Sequence, residues 1–333
     1  MAQPNPTRSM RARLWGLRLV GTLFSIALLV WLDVSGALPM ERVWSAFSSA
    51  DPGLVALSIG LYVPFLVVKA ARWRLLSADM MMPISWADSW RIYSIGLAAG
   101  TFTPGQAGDA LKAWYLQRAG YPLGRGLGSS VLDRLFDVAG LVALGLLGVA
   151  VYGGRFAGQT PALVAWVVLG VLVVVFLAWK PSRTWVVSFI SRRLTRLGLV
   201  GQQGDSTPAW TLKPTTIATA SALTIGSFAT SIFRVWLLAA AVGVWLGPLE
   251  VSGFVGLTTA AALVPVSVGG IGTRDAVAAL AFTQLGHSAA EGIAVSLLLL
   301  LLNAAQAVAG WLVWLTYRPA TQAQGAIRQP EVT

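Results

Sequence analysis

Apolar residues run in long stretches, separated by short segments rich in basic residues, Gly or Pro. Stretches at about 14–33, 53–75, 126–152, 161–180, 215–245 and 290–316 approach or exceed the roughly 20 apolar residues that cross a bilayer. Two further pairs, about 85–104 with 105–118 and about 252–267 with 272–286, are too short to be comfortable spans. Thr103, Pro104, Gly105 and Gly108 split the first pair, and Pro265, Gly269, Gly270 and Gly272 split the second. Non-helical backbone at membrane depth is tolerated only inside protein or along a wet cavity. The pattern predicts an all-α polytopic membrane protein with six full crossings and two re-entrant helical hairpins.

Residues 183–197 place Trp185, Val186, Phe189, Ile190, Leu194 and Leu197 largely opposite Arg192, Arg193 and Arg196. This reads as an interfacial helix on the inner leaflet. The hydrophobic share is 56% and the charged share only 11%, below the roughly 25% of a soluble domain. The net charge of +11 does not indicate nucleic acid, because Arg8, Arg11, Arg13, Arg18, Lys180, Arg183 and Arg318 cluster at the edges of spans. That distribution follows the positive-inside rule. It places the chain in the bacterial inner membrane with both termini cytoplasmic: a basic segment at 1–13, one membrane domain at 14–318 and a disordered tail at 319–333. A secretory signal peptide is the competing reading of residues 8–38. No Cys is present and His287 is the only His, which leaves no basis for a thiolate site or a His-based metal site or relay. Neither catalytic residues nor cofactor are expected.

At a constant offset of 166 positions, Ile59-Gly60 meets Ile225-Gly226, Asp109-Ala110 meets Asp275-Ala276, and Gly120 meets Gly286. Gly126, Ser130 and Leu135 meet Gly292, Ser296 and Leu301. The halves are 53–152 and 215–316, joined by 153–214. The first starts outside and the second inside, so the repeat is expected to be inverted, as in many transporters. Chance identity between apolar, Gly- and Ala-rich helices is the alternative.

Ser130, Asp133, Arg134 and Asp137 share one stripe of the span at 126–152. Asp137 lies 11 residues past Gly126, about 16 Å along the axis and close to mid-bilayer. Three ionised residues facing lipid would cost about 8–10 kcal/mol, so the stripe is expected to face inward. It serves either as a structural Arg134–Asp137 pair or as a polar wall of a substrate path. Arg234 has no acidic neighbour on its own helix, and Asp133 or Asp137 is its obvious protein partner. The helix starts after the two breaks expose amide groups suited to an anion. Asp109 and Asp275 suit the first turns as caps. Lys112 and Arg274 bring positive charge beside Gly105, Gly108, Gly269, Gly270 and Gly272. Lys69, Arg72 and Arg74, around Trp73, read as snorkelling and orienting residues at a span end, with substrate contact as the alternative.

In Pro104-Gly105-x-x-Gly108-Asp109-x-x-Lys112, Asp133-Arg134-Leu135-Phe136-Asp137 and Val264-Pro265-x-Ser267-x-Gly269-Gly270-Ile271-Gly272-x-x-Asp275, the chain resembles a known family. It is similar over residues 12–318 to the flippase-like membrane domain of lysylphosphatidylglycerol synthases, the multiple peptide resistance factor proteins. The family carries Glu at Asp109 and Asp275, Arg at Lys112 and Pro at Val268, so contact geometry there differs. The resemblance implies translocation of an anionic, aminoacylated or polyprenyl-phosphate-linked lipid between leaflets. The chain is expected to lack the cytosolic synthase domain, and hence lysyl transfer.

The substrate-contacting set expected from these readings is Lys112, Arg134, Arg234 and Arg274 with the five glycines. Asp109, Asp133, Asp137 and Asp275 serve as coupling or structural carboxylates. Membrane lipids are the expected partners. A partner role beside a separate lipid-modifying enzyme and a small-solute transporter are the alternatives. No Gly-x-x-x-x-Gly-Lys-Ser/Thr loop is present, so direct ATP drive is not expected.

Overall fold

A computed structural model describes residues 40–102, 108–152, 212–263 and 272–317, with isolated positions at 168, 179, 185 and 188. The regular structure among them is helical. In chain order the elements are α1 (Met40–Ser48), α2 (Pro52–Gly60), α3 (Tyr62–Asp79), α4 (Trp86–Phe102) and α5 (Asp109–Arg118). They continue with α6 (Leu123–Tyr152), α7 (Pro214–Ala241), α8 (Pro248–Leu263), α9 (Thr273–Gln284) and α10 (Ala289–Thr316). Among the described residues, three runs are long and apolar enough to cross a membrane: Pro52–Asp79, Pro214–Ala241 and Ala289–Thr316. Each has 28 residues, about 42 Å at 1.5 Å per residue, against a hydrocarbon core of about 30 Å. The expected spans at about 14–33 and 161–180, the interfacial helix at 183–197 and the tail lie outside the described residues, apart from those isolated positions.

Two expectations are corrected. The segment around Glu41, which falls in the outer loop between the first two expected spans, holds α1. Its Val43 and Phe47 fall four apart on one face, and Val43 is buried against Ala290 and Ile293. Glu41 in the first turn suits the positive end of the helix. The second span, expected to end near residue 75, continues to Asp79 and is broken between α2 and α3. Pro64 explains the break. It has no N–H to donate to Gly60, and its ring clashes with that carbonyl in a continuous helix. The chain therefore ends α2 at Gly60 and restarts at Tyr62, placing Pro64 in a first turn where it is tolerated.

The chain divides into two compact units. The first takes its described residues from 1–60, 141–167 and 232–303, and the second from 61–140, 168–231 and 304–333. Phe254, Phe282, Leu238, Ala278 and Val295 lie in the core of the first unit. Leu66, Trp73, Leu76, Leu116 and Leu132 lie in that of the second. Within the second unit Tyr317 Oη donates to Asp88 Oδ1 at 3.0 Å, fastening the end of α10 to the first turn of α4.

Candidate functional site

Apolar periodicity turns one face of each helix into its core, and in the second unit five helices carry charge or hydroxyl groups to one place. On α3, Lys69 and Arg72 are three residues apart and so project to the same side. On α6, Asp133 and Asp137 are four apart. Arg72 Nε donates to Asp133 Oδ1 at 2.8 Å, and its Nη2 donates to Asp137 Oδ1 at 2.7 Å and to the Asp133 carbonyl at 3.1 Å. Arg72 Nη1 reaches Thr224 Oγ1 of α7 at 2.9 Å. Lys69 Nζ pairs with the same Asp137 Oδ1. Lys112 of α5 donates to Asp133 Oδ2 at 3.0 Å, where Tyr93 Oη of α4 also donates, at 2.9 Å.

Aromatic faces complete the surroundings. Lys112 Nζ lies 4.3 Å from the Tyr93 ring centroid and 5.4 Å from that of Trp73. Lys69 Nζ lies 5.6 Å from the Phe65 centroid and 5.8 Å from that of Phe228. Arg72, Lys112 and Asp133 are each 1% exposed and Lys69 is 7% exposed. Three cations thus share two carboxylates in a buried setting. Buried ions are tolerated only when paired and hydrogen-bonded, and removing one partner typically costs about 3–5 kcal/mol. Such a cluster holds the groups that bind oxyanions: a planar guanidinium that forks onto oxygens and ammonium groups as point charges.

The inward stripe expected from the sequence is present, with Ser130 and Asp133 buried and Arg134 and Asp137 half-buried. Lys69 and Arg72 correct the reading of this end of the span, because they are buried in the cluster instead of snorkelling. Arg74 lies between α3 and its following turn, donating from Nε to the Ile84 carbonyl at 2.9 Å. The sequence signal for Lys69 and Arg72 was available. Leu75 and Leu76 carry the apolar run past them, so they sit inside the helix and not at its end. Tyr93 and Thr224 gave no signal distinct from ordinary helix residues.

Gly108 is where α5 begins, and a Cβ there would lie 2.0 Å from the Gly96 carbonyl oxygen and 2.5 Å from the Gly100 nitrogen. Only Gly permits α4 and α5 to meet so closely, which sets Lys112 one turn further along α5. The Asp109 side chain, and Gly105, Gly269 and Gly270, lie outside the described residues.

The first unit holds the other predicted residues. Gly272 has φ of 86° and precedes α9, and its N–H donates to Asp275 Oδ2 at 2.9 Å, so Asp275 caps the helix as the sequence indicated. Ser296 Oγ of α10 donates to Asp275 Oδ1 at 2.5 Å and accepts from Arg274 Nε at 2.7 Å. Arg274 Nη2 adds a bond to the Ser296 carbonyl at 3.0 Å, which clamps α9 to α10. Arg234 of α7 donates from Nε to the Ser58 carbonyl at 2.9 Å, and Ser58 Oγ donates to the Arg234 carbonyl at 3.1 Å. The carboxylates that the sequence offered to Arg234, Asp133 and Asp137, are bonded by Lys69, Arg72 and Lys112 of their own unit. Among the described residues no three His, Asp or Glu side chains gather as a metal set.

No curated protein matches this sequence. The family model described as the lysylphosphatidylglycerol synthase TM region matches residues 18–313, nearly the whole chain, and the protein belongs to that family of membrane domains.

Proposed function

We infer that this protein moves a phosphate-bearing anionic lipid between the leaflets of the membrane. The carrying observation is the buried cluster of Lys69, Arg72 and Lys112 around Asp133 and Asp137, in which, among the described residues, three cations meet two carboxylates. Cations gathered inside an apolar protein suit an anionic phosphate group. Family membership supports a lipid-related role in the membrane. Arg72 and Lys69 are the first contacts in this reading, with Lys112 behind them on Asp133 and Arg134 on the same helix as the carboxylates. Arg234 and Arg274 belong to the framework that the path runs through.

The architecture that this reading uses is an inverted repeat with two re-entrant hairpins, α4 with α5 and α8 with α9. Matched local geometry at the offset of 166 supports it. Gly120 and Gly286 follow α5 and α9 with φ of 93° and 84°. Tyr121 N donates to the Leu116 carbonyl and His287 N to the Phe282 carbonyl, each at 3.0 Å, the same helix-ending motif twice. A Cβ on Gly126 would lie 3.2 Å from Ala113 Cα, and one on Gly292 3.1 Å from Ala279 Cα, again matched positions.

The repeat also separates scaffold from chemistry. Positions matching Lys69, Arg72, Lys112 and Asp133 are Val235, Leu238, Ala278 and Leu299, which pack as apolar core in the first unit. The matching positions are therefore filled there without ions, and apolar replacement of a buried ion set is often neutral or stabilising. The charges in the second unit are thus best explained by a ligand. Leaflet exchange of labelled phosphatidylglycerol, its lysyl form and a polyprenyl phosphate in proteoliposomes tests the reading. Protein-dependent exchange of a phosphate-bearing lipid is expected, and no exchange of any of the three by folded protein would overturn it. The family is described by a synthase, which favours a second reading as the membrane partner of a lipid-modifying enzyme. Co-purification with such an enzyme, without exchange, would select it.

A further inference from the structure

Asp133 and Asp137 occupy one helix face yet are held in different ways. Asp133 is 1% exposed, with Oδ1 bonded to Arg72, Oδ2 to Tyr93 and Lys112, and its carbonyl to Arg72 as well. Its side chain is enclosed by donors from α3, α4 and α5. The Asp137 side chain is 18% exposed, and one oxygen, Oδ1, receives both Lys69 and Arg72. Two cations converging on one carboxylate oxygen at the open edge of a cluster form a site shaped for an anion with more oxygens than a carboxylate offers.

We propose that Asp137 is a built-in stand-in for the ligand's phosphate: an arriving phosphate group displaces its carboxylate from Lys69 and Arg72, and the carboxylate returns when the phosphate leaves. The proposal rests on the anion reading of the cluster given above. It assigns phosphate contact to Lys69 and Arg72 and an anchoring role to Asp133.

The geometry keeps the two cations in place during the exchange. Arg72 remains bonded to Asp133 Oδ1, to the Asp133 carbonyl and to Thr224 Oγ1 when Asp137 withdraws. Lys69 Nζ remains between the rings of Phe65 and Phe228, whose faces attract an ammonium group. A phosphate then meets one guanidinium nitrogen and one ammonium already positioned. The exchange swaps one anionic group for another on the same two cations without a proton or a metal, and the displaced carboxylate stays at the partly exposed edge of α6. Unloaded cations are never left bare in the membrane, where an uncompensated charge is costly.

The test is binding of short-chain phosphatidylglycerol to the purified full chain in detergent, read by calorimetry. Inorganic phosphate and short-chain phosphatidylcholine serve as parallel probes. Removing the internal competitor in Asp137→Asn is expected to tighten phosphatidylglycerol binding about tenfold or more, and Lys69→Met is expected to weaken it about tenfold or more. Lys69→Arg is expected to restore it. The double variant Lys69→Met/Asp137→Leu leaves no unpaired ion at this edge and is expected to fold and to bind about tenfold more tightly than Lys69→Met alone, because the competitor has also left Arg72, which decides the matter even if Asp137→Asn does not fold.

A shift with phosphatidylglycerol alone assigns the site to a lipid headgroup, and the same shift with inorganic phosphate assigns it to free phosphate. Both outcomes support the exchange. Wild-type binding that Asp137→Asn leaves unchanged or weakens overturns the exchange while the anion reading stands. Binding by the double variant no tighter than by Lys69→Met does the same. Wild-type protein that binds neither phosphate probe overturns the anion reading itself.

Discussion

Lys112 Nζ lies 3.0 Å from Asp133 Oδ2, joining the short helix after the first break to the long helix that follows it. The pair closes a loop of only 21 positions, but both side chains are out of water. Asp133 therefore acts as the hub on which α3, α4 and α5 are fastened to α6.

Asp133→Asn is expected to be the most damaging single change in the cluster. It leaves Arg72 and Lys112 buried with one carboxylate fewer, which typically costs about 3–5 kcal/mol. Thermal unfolding in detergent, followed by loss of monodisperse protein, checks this. A melting temperature equal to the wild type would show that Asp133 is not the hub.

Arg72→Lys retains the charge and loses the fork. A single ammonium cannot reach Asp133, Asp137 and Thr224 together. The expected cost is about 1–3 kcal/mol, with slower leaflet exchange in proteoliposomes. Exchange at the wild-type rate would mean that charge alone suffices at this position.

Gly108→Ala tests the close crossing of α4 and α5. The added carbon would lie 2.0 Å from the Gly96 carbonyl, so one helix must move. Overpacking of this kind typically costs about 1–3 kcal/mol, and the shift also moves Lys112 away from Asp133. Reduced melting temperature together with reduced exchange is expected. An unperturbed variant would show that the crossing is looser than its geometry.

Ser296→Ala tests the clamp between α9 and α10. The hydroxyl serves Arg274 and Asp275 at once, and its loss leaves both buried groups with one bond fewer, a cost of about 1–3 kcal/mol. Lower thermal stability is expected, with binding of phosphatidylglycerol unchanged. A weaker affinity without a stability change would instead draw Arg274 into ligand contact.

The helical pairs on either side of both breaks were legible in the sequence, because Pro and Gly stop helices for local reasons. The apolar runs were legible too, since length against bilayer thickness is a one-dimensional test. The inward stripe of α6 followed from spacing, and the cap formed by Asp275 from its place in a first turn. The partners of those residues were not legible. Which cation meets Asp137 depends on how α3 lies against α6, and only packing determines that. Lys69 and Arg72 were hidden by a short estimate of where their helix ends. The break at Leu61 was marked by Pro64, three residues on, but an apolar run of 28 residues concealed it.

That break gives Arg234 a meaning that its charge does not suggest. A membrane helix interrupted by Pro must find new donors for the backbone oxygens near the interruption, since lipid supplies none. Ser58 lies in the last turn of α2, and its carbonyl receives Arg234 Nε while its hydroxyl answers to the Arg234 carbonyl. The arginine is a brace: it carries an added donor from a neighbouring helix to the turn of α2 that comes just before the interruption.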